Sequence, residues 1–166
     1  NGDNVKYLMD NCEAYWGLAY FAELLHGLGD YEASFFGSMA EKIADGIERQ
    51  LWNNRKSCYY ASKIGWLSRG TNLNKFYPDA ACQVFPVLCG LIEAGRDRGA
   101  GLYKLFNDAQ PNWPNLVPPH YPWMLLGLYA CLHGDYNRAY EKVRCAQEAY
   151  IDKISGKWYC AEAAFF

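Results

Sequence analysis

From Met9 to Leu28 the chain is apolar almost all the way round a helix. Leu18, Phe21, Ala22 and Leu25 recur at helical spacing, Glu23 is the main exception, and Gly29 follows as a stop. A helix that is apolar on every side is expected to be buried. The next segment, about Tyr31 to Trp52, is patterned differently. Phe35, Met39, Ile43, Ile47 and Leu51 repeat every four residues, and Glu41, Lys42, Asp45, Glu48 and Arg49 fill the other side. That is an amphipathic surface helix. Inner helix, short Gly-Asp turn and outer helix together make a helical hairpin.

After "NNRKS", the short aromatic run "CYYASKIG" reads as a strand or extended arm, and "LSRGTNLNK" as a polar loop. "FYPDAACQVFPVLCGLIEAG" starts a third helix at about Pro78, where proline suits a first turn. Pro86 falls in its interior and predicts a kink or break. A shorter helix is expected from about Gly99 to Asp108. "QPNWPNLVPP" holds four of the seven prolines and is a loop. "HYPWMLLGLYACLHGD" then repeats the buried-helix pattern, "YNRAYEKVRCAQEAYIDK" the amphipathic one, and "SGKWYCAEAAFF" closes as a short arm.

An internal repeat shows through these elements. "GLAYFAELLHGLGDY" matches "GLYACLHGDY", "SCYYAS" matches "KWYCAE", and "FYPDA" matches "HYPWM". The unit is a helical hairpin of roughly 45–55 residues occurring three times, which predicts stacked helical hairpins. The fold class is therefore all-α, with short extended β arms, in a single domain spanning the 166 residues. If the apolar helices line the inside, they run the same way. Their N-termini, with unpaired N–H groups and positive dipole ends, then gather at one rim. Asp10, Glu13, Tyr77, Asp79, His120 and Tyr121 all lie at such N-termini.

Composition narrows the function. Half of the chain is apolar (51%), enough for a substantial core, and a net charge of −2 argues against a general nucleic-acid binder. No apolar run reaches the length of a membrane span, and "NGDNVKY" shows no basic n-region or h-region, so no signal peptide is visible. Aromatic residues reach 17%, with 14 tyrosines; rings with an apolar body and a polar tip suit sugars. The seven cysteines are an odd number without a CxxC pair, and most sit among apolar neighbours. They read as small buried hydrophobes of a reducing, cytoplasmic setting, and Cys and His are not clustered as metal ligands. His26 and His133 fall near helix ends, where a capping role is the simpler reading. GxGxxG and P-loop signatures are missing, so no cofactor is expected.

"MDNCEAYWGLAYFAELLHGLGD", "FYPDAACQVFPVLCGL" and "HYPWMLLGLYACLHGDYNRA", in this order and spacing, resemble the six-hairpin glycosidases of the (α/α)6 toroid superfamily. The resemblance covers nearly the whole chain. It implies glycoside hydrolysis, or related lyase or epimerase chemistry, in a cleft at the inner-helix N-termini. The family ring has six hairpins and this chain three, about half. Half a ring leaves open apolar edges. Three expectations follow: a C-terminal portion of a larger protein, two copies completing a ring, or a partner supplying the rest.

Glycoside hydrolysis commonly needs two carboxyl groups. Asp10, Glu13 and Asp79 are the candidates. Asp10 and Glu13, three apart, share a helix face. A carboxylate at a helix start suits a base or nucleophile, whereas Glu13, one turn in and close to Asp10, suits a general acid. Asn11, Tyr15, Trp16, Tyr77, His120, Tyr121 and Trp123 are the candidate sugar-binding residues, and Glu162 on the final arm is an outsider. The plainer alternative is that Asp10 and Asp79 are ordinary helix-start charges, Glu13 caps its own helix, and the rings are core. Few basic residues near the rim favour neutral sugars over uronic acids. A protein-binding helical scaffold is the alternative function, and an isoprenoid-type toroid would need a DDxxD motif that the sequence lacks.

Overall fold

The structure, a computed structural model, describes residues 5–65, 67–68, 70–117, 122–153, 162 and 164–165. The described residues are mostly helical, with six α-helices and five short strands. Among them no helix is long and apolar enough to cross a membrane. The chain divides into two compact units, Asn1–Glu93 and Ala94–Phe166.

The first unit opens with β1 (Val5–Tyr7), α1 (Leu8–Gly27) and α2 (Ala33–Leu51). The two helices pack along each other as a hairpin. Its turn has a definite chemistry. Gly29 sits at φ 72°, its N–H donates to His26 O at 3.0 Å, and Asp30 N–H donates to Leu25 O at 2.9 Å. This is the Schellman pattern, in which a left-handed glycine lets the last helical carbonyls find donors. His26 takes part through its backbone carbonyl. Asp30 Oδ1 then accepts from Glu32 N–H at 2.9 Å, steering the chain into α2.

The expectation that α1 is buried all round is corrected. Leu8, Cys12 and Leu25 are buried, but Tyr20 is 60% exposed, Leu24 58% and Leu28 72%. α2 lies along one side of α1 and α3 (Phe85–Leu88) touches it over a short stretch, so part of its circumference stays open. The apolar stripe of α2 is covered unevenly. Ile47 and Leu51 are buried, whereas Phe35 and Met39, near its start, are exposed.

The expected arm after α2 is present, in pieces. β2 (Trp52–Asn53) pairs antiparallel with β3 (Cys58–Tyr59), and β4 (Ser62–Ile64) lies between β1 and β5 (Leu67–Ser68), antiparallel to both. Leu8 N–H donates to Ala61 O at 3.0 Å, fastening the first turn of α1 to this arm. The expected third helix is segmented rather than simply kinked. A π turn (Phe76–Ala80) that contains the cis Tyr77–Pro78 peptide passes into a 3-10 turn (Ala81–Val84), then α3 (Phe85–Leu88). α-Helical bonding starts afresh at Phe85, which places Pro86 in a first turn, where its missing N–H is harmless.

Gln83, buried in the 3-10 turn, ties these pieces together. Its Oε1 accepts from Tyr59 N–H at 2.8 Å, and its Nε2 donates to Tyr59 O at 2.9 Å and to Asp79 O at 3.1 Å. Thr71 Oγ1 donates to the same Tyr59 carbonyl at 2.9 Å. Asp79 Oδ1 accepts from Asn72 N–H at 3.1 Å, anchoring the preceding loop.

The second unit holds α4 (Asp97–Ala109), wider than the expected Gly99–Asp108, a 3-10 turn (Trp113–Asn115), α5 (Leu125–Leu132) and α6 (Tyr136–Ala146), then a π turn (Gln147–Ile151). α5 and α6 form a second hairpin. Its turn repeats the first: Gly134 is at φ 72° and donates to Cys131 O, and Asp135 N–H donates to Ala130 O at 2.9 Å. Gly134-Asp135 thus matches Gly29-Asp30, and the two histidines are not equivalent. Here α5 is largely buried as its pattern predicts, at Leu125, Leu126, Gly127, Tyr129 and Ala130. Lys142 is fully buried above Gly127; its Nζ donates to Leu116 O at 3.0 Å, and burial pulls its ammonium down to about 8. Glu162 is also buried, and its Oε2 accepts Met124 N–H at 2.6 Å just ahead of α5.

Asp135 does several jobs at once. Oδ1 caps α6 by accepting from Arg138 N–H at 3.2 Å, and Oδ2 accepts from Arg138 Nη1 at 2.6 Å and from Tyr103 Oη at 2.8 Å. Tyr103 in turn stacks on His133 with centroids 4.2 Å apart.

Two outcomes are expected from this architecture. Gln83→Leu removes the acceptor of Tyr59 N–H and leaves Tyr59 O with Thr71 Oγ1, so urea denaturation is expected to show a loss of about 1–3 kcal/mol. Asp135→Ala removes the α6 cap and is expected to lower stability by about 1–2 kcal/mol. Burial raises the Asp135 carboxyl, but bonds from Arg138 and Tyr103 outweigh it and hold it below its ordinary value. Its share of stability is therefore present above the unfolded value of about 3.9 and lost as pH falls through the folded one. Denaturation curves at falling pH should converge for the wild type and Asp135→Ala.

Candidate functional site

The start of α1 carries the candidate chemistry. Asp10 lies in its first turn and Glu13 one turn further, both on the exposed side, while Cys12 between them points inward and is fully buried. Successive residues advance by about 100° round a helix, so positions 10 and 13 share a face that position 12 does not. Asn11 Nδ2 donates to Tyr7 O at 2.6 Å, and this bond links the helix back to β1.

Two spaces flank this turn. One, of about 370 Å³, is lined by Tyr7, Met9 and Asp10 on one side, Ala61 and Ser62 on another, and Tyr77, Pro78 and Cys82. It is of a size that takes small organic ligands. Three segments distant in sequence build it, held by the β1–β4 pairing and the Gln83 bridge. The other, about 430 Å³, is a more open groove along α1 lined by Glu13, Trp16, Gly17 and Tyr20. Trp16 and Tyr20 meet edge to face with centroids 6.0 Å apart, and Gly17 between them leaves the helix surface bare.

Each space thus combines one carboxyl group with aromatic rings. The Glu13 carboxyl is raised above its ordinary value, first by partial burial and then by the negative charge of Asp10. A carboxylic acid held protonated longer than usual can donate a proton; an ionised neighbour can accept one or attack.

The remaining candidates are placed as follows. Tyr77, with Asp10, lines the first space and is 55% exposed. Tyr15 is half-buried on α1, and partial burial pushes its hydroxyl up. Asp79 is buried, is absent from the lining of both spaces, and binds the backbone of Asn72. Trp123 is a buried ring of the second unit, at φ 60°, a left-handed backbone that is uncommon for a bulky residue. His120 and Tyr121 lie outside the described residues. Sequence reasoning did not single out Tyr7, Ser62, Cys82 or Tyr20. Tyr20 carried a signal, since it falls four after Trp16 and seven after Glu13, on one helix face; the other three are brought in only by tertiary structure. Among the described residues no group of three or more His, Cys, Asp or Glu is placed to hold a metal ion.

The Glu13 environment makes a testable statement. A ¹³C NMR titration is expected to place the Glu13 midpoint above the ordinary glutamate value of about 4.3, and Asp10→Asn is expected to move it down. Because the folded value is the higher one, this group favours the folded state at low pH. That contribution fades as pH rises from the unfolded towards the folded value. A midpoint at or below the ordinary value would remove the basis for Glu13 as an acid.

Comparison of the chain with protein-family models, with curated proteins and with solved structures finds no match.

Proposed function

We propose that the chain carries glycoside-hydrolase chemistry on an oligo- or polysaccharide, with Glu13 as general acid and Asp10 as base or nucleophile. One observation carries the reading. The two exposed carboxyl groups one helical turn apart border adjoining ring-walled spaces, and the Glu13 carboxyl is raised beside Asp10. In the proposed reaction Glu13 protonates the oxygen of the glycosidic bond as it breaks, and Asp10 stabilises or attacks the anomeric carbon directly or through water. Tyr77, Trp16 and Tyr20 offer faces for the apolar side of sugar rings. Asp79 holds the loop that precedes Tyr77.

The finer fold reading is part of this proposal: three hairpins of an (α/α)6-type ring. The matching Gly-Asp turns of the two observed hairpins support it. The open stripe at Tyr20, Leu24, Leu28 and Phe35 is where further hairpins of a ring, from a second copy or a longer chain, would pack. The same stripe favours a second reading, a helical scaffold that binds another protein.

Tryptophan fluorescence during titration with neutral and acidic oligosaccharides, beside an assay of new reducing ends, separates the two. A saturable change that Trp16→Phe abolishes is expected with one sugar class. Asp10→Asn and Glu13→Gln should each keep binding while lowering hydrolysis by about 10²–10⁴-fold. A folded protein that ignores every sugar overturns the hydrolase reading and leaves the scaffold.

A further inference from the structure

The outer side of α1 is a stripe that the proposed hydrolysis uses only at its start. Glu13, Gly17, Tyr20, Leu24 and Leu28 follow one another at intervals of three or four positions, so they share a face, and each is exposed. The apolar area carries over to α2. Phe21 meets Phe36 with centroids 4.8 Å apart, Phe36 meets Phe35 at 5.3 Å, and Phe35 is itself exposed. Single exposed apolar side chains are ordinary on a protein surface, whereas a contiguous stripe of them marks a contact surface.

The charges around the stripe have one sign. Between Tyr7 and Glu41 the chain has no lysine or arginine, and its six acidic residues there, Asp10, Glu13, Glu23, Asp30, Glu32 and Glu41, are all exposed. The stripe begins in the groove of Glu13, Trp16, Gly17 and Tyr20, where a carboxyl group stands beside two rings. Such a groove suits a cationic side chain: the carboxylate offers the opposite charge, and the ring faces attract a cation.

We propose that this stripe is the docking surface of a basic amphipathic helix of another protein, whose apolar face covers Tyr20, Leu24 and Leu28 and whose lysine or arginine enters the groove at Glu13. The proposal rests on the scaffold reading of the stripe, to which it gives a partner, and it needs no hydrolysis. An amphipathic helix laid on an apolar surface is a recurrent mode of recognition, with anchors at helical spacing. At 1.5 Å per residue, Glu13 and Leu24 stand about 16 Å apart along α1, so the partner carries its cation about three turns from its central apolar anchor. Charge decides between the occupants. A second copy seated on the same stripe about a twofold axis would set these carboxylates against their own counterparts. A basic helix meets them with the opposite sign and is steered towards them.

The test is fluorescence anisotropy of labelled peptides titrated with the full chain. Two peptides of roughly 18 residues carry leucine at helical spacing, one with lysine and one with glutamate at the other positions. The lysine peptide is expected to bind saturably, about tenfold tighter than a version with its leucines scrambled off one face, and to weaken as salt rises. Leu24→Ser should weaken it by about tenfold and Glu13→Gln by about threefold. Tyr140→Ser, at an exposed ring of the second hairpin, should leave it unchanged. Backbone ¹H–¹⁵N shifts should move at Tyr20, Leu24 and Leu28, and this map of the wild type decides if a variant fails to fold. Equal binding of the glutamate peptide overturns the choice of partner and leaves a scaffold of another kind. Binding of neither peptide overturns the proposal and the scaffold reading together. A dimer in sedimentation that Leu24→Ser dissolves makes a second copy the occupant and overturns the proposal as well.

Discussion

The buried side chain of Gln83 holds the first unit in register. A glutamine amide offers an acceptor and donors on one planar group, and here it meets both the N–H and the carbonyl of Tyr59. Tyr59 is fully buried at the end of β3, and its carbonyl also accepts from Thr71 Oγ1. A buried N–H left without an acceptor is expensive. The bridge fixes the 3-10 turn against β3, and with it the Tyr77–Pro78 segment upstream and α3 downstream. β4 follows β3 by a few residues and pairs with β1, and β1 leads directly into α1. Asp10 therefore faces Tyr77 because a buried amide, a three-residue strand pairing and the Leu8–Ala61 bond close one circuit.

The hairpins rest on a smaller device used twice. Each ends its first helix on a glycine at φ 72° and begins its return with an aspartate whose carboxylate accepts a backbone N–H. Glycine adopts that angle without the penalty a Cβ brings; Asp135 then caps α6, whereas Asp30 closes a turn onto Glu32 just ahead of α2. The device sets the turn and says nothing about what covers the helices. α5 is largely buried, whereas α1 leaves Tyr20, Leu24 and Leu28 in solvent.

These contrasts mark how far the sequence is legible. Periodicity finds α1, α2, α5 and α6, and the Gly-Asp pairs locate the turns, because both signals are local. Burial of α1 is not local: an all-round apolar pattern says only that every side can be buried. The segment from Phe76 to Leu88 is harder still. Its two prolines are visible, but the change from π to 3-10 to α bonding depends on Gln83 finding Tyr59, 24 residues away. A lone buried glutamine leaves no trace in a hydrophobic pattern. For the site, Asp10 and Glu13 are legible from spacing, as are Trp16 and Tyr20. Tyr7, Ser62 and Cys82 line the first space only because strands and turns carry them there.

The same spacing rule links the site to the core beneath it. Asp10 and Glu13 look outward because they lie three apart; Cys12, rotated about 100° from Glu13, looks inward for the same reason. The turn that offers two carboxyl groups on one side thus offers a buried sulfur on the other. A helix turn is stiff, since each backbone bond along it constrains its neighbours. Whatever fixes the Cys12 sulfur consequently fixes the direction in which both carboxyl groups point. The placement of the carboxyl pair is therefore set from inside the core, on the face of α1 that no ligand reaches.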